Sequence, residues 1–110
     1  MRAIMAAVVL GTLTVGAAAQ SDAELTAQVK RGEALLERLC ASCHAIGPAG
    51  TSPNPQAPPF RMLGRRYKIE SLEEALGEGL ISGHPDMPEF RLNGREVGEA
   101  IAYLNAIQER

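Results

Sequence analysis

The 110-residue sequence has no tryptophan and only two phenylalanines and two tyrosines, so aromatic packing can supply little of a core. Two cysteines and two histidines are a thin set for a closed four-ligand zinc site. Neither charge sign dominates: eleven Lys and Arg stand against thirteen Asp and Glu, a formal net charge of −2. Nucleic-acid binding expects a clear basic excess, so that function class is excluded. No segment alternates apolar and polar residues as a half-buried strand does, and there is no internal repeat or second-domain linker. A Gly-rich phosphate loop is missing, as is a hydroxyl or thiol nucleophile with a free histidine base. No catalytic constellation remains, and an enzyme is not expected.

The start of the chain is distinctive. Met1-Arg2 precedes an uncharged apolar run, Ala3 to Val15, and then Gly16-Ala17-Ala18-Ala19-Gln20. A positive start, a short hydrophobic stretch and an Ala-x-Ala pattern predict a secretory signal peptide over 1–19, cleaved after Ala19. The run is shorter than the ~20 residues a spanning helix needs, so no stable membrane insertion is expected after cleavage. An uncleaved N-terminal anchor is the alternative. Residues 20–110 form the mature domain, with ten basic against thirteen acidic residues once Arg2 has left. So short a chain usually needs a staple: a metal, a disulfide or a cofactor.

Both cysteines fall in Cys40-Ala41-Ser42-Cys43-His44. This spacing reads as covalent attachment of a c-type haem. Residues three and four apart share a helix face, so Cys40 and Cys43 can add to two vinyl groups along one haem edge. His44 then lies one turn beyond Cys40, where its imidazole can meet the iron. Three other uses of Cys-x-x-Cys compete: a thioredoxin-like redox couple, which expects a βαβ pattern nearby; half of a zinc site; and a structural disulfide, which an exported protein permits.

Around the motif the sequence reads as all-α. Ser21-Asp22-Ala23-Glu24 has the form of a capping box opening a first helix. Leu25, Val29, Gly32, Leu36, Cys40 and Cys43 make one stripe on it. Gly32 sits mid-stripe, where glycine costs about 1 kcal/mol, and a close helix crossing would explain it. Ala45 to Pro59 carries five prolines and is expected to be an extended loop, a length that tends to be functional. Phe60 to Tyr67 suggests a short helical turn. Ser71-Leu72-Glu73-Glu74 opens a helix whose end Gly77 and Gly79 weaken. Gly83-His84-Pro85-Asp86-Met87-Pro88-Glu89-Phe90 breaks regular structure. Asn93-Gly94-Arg95-Glu96 starts a last helix with Val97, Ile101, Leu104 and Ile107 on one face and Tyr103 beside it.

An iron held by one histidine leaves its opposite axial position open to Met87, Met62, His84, water or nothing. Met87 stands on a loop stiffened by Pro85 and Pro88 and is the favoured ligand. Met62 lies in an expected helical turn, where methionine is ordinarily core filler. His84 is expected to be exposed or locally bonded. A thioether raises the potential relative to a second imidazole, and a six-coordinate iron serves electron transfer. A five-coordinate haem that binds small ligands is the weaker option.

Taken together, the attachment motif at the end of the first helix, the Pro-rich loop, the short helices, the Met-Pro loop and the C-terminal helix resemble a small bacterial class I c-type cytochrome over essentially the whole mature chain. The resemblance implies a single domain of about four short helices wrapped around one covalently attached haem c. It implies thioether bonds at Cys40 and Cys43, His44 as proximal ligand and Met87 as distal ligand. It implies that the terminal helices cross closely at Gly32 and Tyr103. It also implies that a loop proline orients His44 through its carbonyl, with Pro48, Pro53, Pro55, Pro58 and Pro59 as contenders; Pro58-Pro59-Phe60 would wall the pocket. The expected function is a periplasmic monomer carrying single electrons between redox partner proteins; the alternative is a haem subunit of a dehydrogenase or oxidase complex. Arg61, Arg65, Arg66 and Lys68 form a basic cluster with three uses open: pairing with haem propionates, a patch for an acidic redox partner, or a solvated face.

Overall fold

The computed structural model describes residues 4, 6–13 and 16–109. Three α-helices carry the fold: α1 (Ala17–Cys40), α2 (Leu72–Glu78) and α3 (Gly94–Ile107). Two 3-10 segments, Phe60–Arg65 and Ile69–Ser71, fill the span between α1 and α2. Among the described residues there is no strand. The all-α expectation of about four short helices is met by this set.

The expected start of α1 needs correction. The helix begins at Ala17 with Gly16 as N-cap and no side-chain cap, so Ser21 lies inside it and the Ser21–Glu24 capping box does not open the helix. Ala17-Ala18-Ala19 have the strongest helix propensity of any residue and carry the helix past the polar signal. Of the expected leader, Met1, Arg2, Ala3, Met5, Thr14 and Val15 lie outside the described residues. Val8, Val9, Leu10 and Leu13 stand exposed without regular structure. No helix among the described residues is long and apolar enough to cross a membrane.

The core forms where α1 and α3 cross. Leu35 and Leu36 of α1 pack with Ala100, Ile101, Tyr103 and Leu104 of α3, and Ile46, Phe60, Ile69 and Leu92 close the cluster. At ~1.5 Å per residue α1 is about 36 Å long and α3 about 21 Å, so α3 covers only part of α1. Leu25, expected on the buried stripe, consequently remains 53 % exposed.

Gly32 is at the crossing. A Cβ there would meet the Glu99 main-chain carbonyl and stand 2.8 Å from the Tyr103 Cβ. Only hydrogen fits, and the contact is the close one between Gly32 and Tyr103 that the family resemblance implied. An ion pair seals the same crossing: Arg31 Nε lies 2.9 Å from the buried Glu99 carboxylate, and its Nη2 2.8 Å from Glu24.

Helix α3 starts on a complete capping box, with Glu96 N donating to Asn93 Oδ1 at 2.9 Å and Asn93 N to Glu96 Oε1 at 3.1 Å. Helix α2 starts at Leu72 as expected, but Ser71 does not cap it; its hydroxyl donates to Lys68 O at 2.6 Å. Gly79, with φ 112°, ends α2 in a conformation that side-chain-bearing residues rarely adopt.

Candidate haem site

Cys40, Cys43 and His44 are held together at the C-terminal end of α1. The helical hydrogen-bond pattern runs on past the assigned helix: His44 N donates to Cys40 O at 2.9 Å and Cys43 N to the same oxygen at 3.2 Å. Both thiols are unbridged and partly buried. Burial pushes the Cys40 thiol up to about 11, with Cys43 adding to the shift. A reactive redox cysteine has a lowered value, and among the described residues no strand offers the βαβ setting of a thioredoxin-like couple. Among the described residues no three His, Cys, Asp or Glu converge as a metal-ion cage.

The loop after the motif fixes the imidazole. His44 Nδ1 lies 2.8 Å from Pro58 O. A carbonyl only accepts, so Nδ1 carries the proton and Nε2 keeps its lone pair for a metal. Of the five candidate prolines, Pro58 therefore supplies the orienting carbonyl. The ring also packs on Phe60, with centroids 4.7 Å apart and planes at 36°.

Behind this lies a mesh of short bonds. Phe60 N donates to Ala45 O at 2.9 Å and Asn54 N to Cys43 O at 3.1 Å. Ala45 N donates to the hydroxyl of buried Ser52 at 2.9 Å. The buried Tyr103 hydroxyl donates to Ile46 O at 2.8 Å, fastening the loop to α3. Each bond satisfies a main-chain group that the Pro-rich sequence would leave without a helical partner.

Met87 lies on a second loop. Its ends are drawn together by Leu80 N donating to Phe90 O at 3.3 Å and Leu92 N to Leu76 O at 2.8 Å. Met87 is half-buried and lines an open cleft of about 330 Å³ with Leu80, Ile81, Pro85 and His84. His84 is exposed, and its Nε2 lies 3.0 Å from Gln56 Oε1, a bond that straps the two loops together. Among the described residues no hydrogen bond joins Met87 to His44 directly. Met62 sits half-buried in the 3-10 segment Phe60–Arg65.

The donor set fits a flat iron macrocycle. Two unbridged thiols share one helix end with an imidazole whose Nε2 is free, and a thioether waits on a separate loop. Beside Met87 the cleft presents Leu80 and Ile81, the latter 80 % exposed, together with Ser82, His84 and Glu89; Cys40, Cys43 and His44 do not line it.

Two of the four basic-cluster residues are engaged inside the protein. Arg61 Nε and Arg65 Nη2 lie 3.2 and 2.8 Å from the Glu109 carboxylate. Arg61 Nη1 also donates to Gly50 O at 2.7 Å. Arg66 and Lys68 are exposed and form no salt bridge among the described residues. From sequence alone the orienting carbonyl stays open among five prolines, and buried Ser52 and Glu99 are missed, as is Gln108, whose amide bonds to the Phe60–Arg65 turn.

The family model for cytochrome c oxidase, cbb3-type, subunit III matches residues 27–104. No curated protein and no solved structure was found to match the chain. The chain belongs to this cytochrome c family, and with it carries covalently bound haem c and serves haem-based electron transfer.

Proposed function

We propose that the protein is a monohaem c-type cytochrome of the periplasm that carries single electrons between redox partner proteins. Cys40 and Cys43 form the thioether bonds, His44 is the proximal ligand and Met87 the distal one. The observation that carries this is the 2.8 Å bond between His44 Nδ1 and Pro58 O, which leaves Nε2 as a donor beside two free thiols. When bound, the haem supplies the one-electron couple; the chain's own residues hold it, orient its histidine and exclude water. Pro58 fixes the tautomer and strengthens the imidazole as a donor, while a thioether at Met87 favours the reduced metal. With His44 and Met87 both holding the metal, no position would be left for a substrate, so the protein would transfer electrons and not act as an enzyme.

The signal peptide 1–19 directs export, and cleavage after Ala19 leaves a single domain over 20–110 that works as a monomer. A second role, as the haem subunit of a larger oxidoreductase, is favoured by the matching family's description as an oxidase subunit. Size-exclusion of the protein from its own source separates the two, since a carrier elutes alone and a subunit co-elutes. A visible spectrum with carbon monoxide challenge, together with the mass of the secreted product, tests the site. Carbon monoxide should leave the spectrum unchanged; a colourless product with both thiols unmodified would end the proposal.

A further inference from the structure

We infer that Gln108 is a positioning residue for the proximal histidine, acting through the Phe60 turn; the inference rests on His44 being an iron ligand. Gln108 leaves α3 in an extended conformation, and its amide reaches three main-chain groups. Its Oε1 accepts from Gly64 N at 2.7 Å, and its Nε2 donates to Phe60 O and to Leu104 O, each at 2.8 Å. One planar group thus closes both ends of the Phe60–Arg65 turn and ties it to the last helix. Gly64 makes room for it: a Cβ there would stand 2.9 Å from Gln108 Oε1. Glu109 completes the latch, its N–H donating to Arg61 O at 2.9 Å and its carboxylate holding Arg61 and Arg65.

The turn so held begins at Phe60, whose ring lies 4.7 Å from the imidazole and whose N–H is bound to Ala45 O. Pro58, two residues earlier, accepts the Nδ1 proton. Any shift of the Phe60 carbonyl therefore moves both groups that orient His44. A hydrogen-bonded imidazole is the more basic ligand, so slackening the turn weakens its donation to the metal. Gln108 and Glu109 lie beyond residues 27–104 matched by the family model.

The test uses the holoprotein with Gln108→Ala and Gln108→Glu, and Asn105→Ala as control, which removes an exposed α3 bond to Glu70. Proton NMR follows exchange of the His44 Nδ1 proton, and redox titration the midpoint potential. Gln108→Ala removes all three amide hydrogen bonds and should exchange that proton at least about tenfold faster, with a higher potential. Gln108→Glu keeps the acceptor for Gly64 N but not the donor, and should fall between. Asn105→Ala should match the parent in both. A Gln108→Ala protein that melts earlier while exchange and potential stay at parent values overturns the inference alone. A parent whose His44 signals carry no paramagnetic shift in the oxidised, ferric state overturns the ligand assignment and the inference with it.

Discussion

The two loops that flank the site are built to different standards. Behind His44, residues Cys43 to Phe60 are braced by main-chain and buried side-chain bonds that reach α1, α3 and the C-terminus. Around Met87, the loop is fastened at its neck and touched once by Gln56, while most of its residues stand exposed. Low density of buried contacts means cheaper local opening, so the Met87 side should yield before the His44 side. If His44 and Met87 both ligate as proposed, such a site would hold its cofactor on the His44 face and adjust it on the Met87 face.

The largest test of that contrast removes the anchor. Cys40→Ala with Cys43→Ala should give a colourless product, largely unfolded by circular dichroism, because cofactor binding and folding are coupled in so small a domain. A helical spectrum without haem would show that the braced half stands by itself.

Met87→Ala should lower the midpoint potential by on the order of 100 mV and admit carbon monoxide, while thermal unfolding changes little. An unchanged spectrum would transfer the ligand role to His84 or Met62. A large loss of stability would erase the distinction between the loops.

Gly32→Ala forces a methyl group against the Glu99 carbonyl, which is main chain and cannot rotate away. It should cost ~2–3 kcal/mol in urea unfolding. A loss under ~0.5 kcal/mol would mean that α1 and α3 can part without penalty.

The smallest effect sharpens the braced side. Tyr103→Phe leaves the Ile46 carbonyl without its partner and should cost ~1–2 kcal/mol. Burial first, then Glu33 and Glu37, raise the Tyr103 phenol above its ordinary value near 10. As pH climbs past 10 the unfolded chain releases this proton before the folded one does. The stabilisation is therefore complete below about pH 10 and is lost as pH rises further. Tyr103→Phe should flatten that decline, and a parallel decline in both proteins would assign it elsewhere.

Much of this arrangement is written locally. The Cys40–His44 pentapeptide, the prolines of 45–59, the helical turn at Phe60 and the break around Met87 depend on residues close in sequence, and the sequence predicts each. Gly32 against Tyr103 is legible only through the family resemblance, since nothing near Gly32 names its partner. What escapes is of two kinds. Pro58 acts through a main-chain oxygen, which has no residue-type signature among five prolines. Glu99 and Gln108 are polar residues on or beside an amphipathic helix, where solvent exposure is the ordinary expectation. Arg31 and the Phe60 turn, distant in sequence, draw them in. At Ser21 the capping signal is real but loses to three preceding alanines.

The neck of the Met87 loop is closed by peptide groups, Leu80 to Phe90 and Leu92 to Leu76, with the Arg91 guanidinium donating to Glu78 O at 3.0 Å between them. Amino-acid identity between residues 81 and 89 therefore meets the scaffold at few points: His84 on Gln56, Glu89 beside Gly79, and the left-handed backbone at Gly83. Away from those points, substitutions at the loop's exposed tip should leave the surrounding helices as they are.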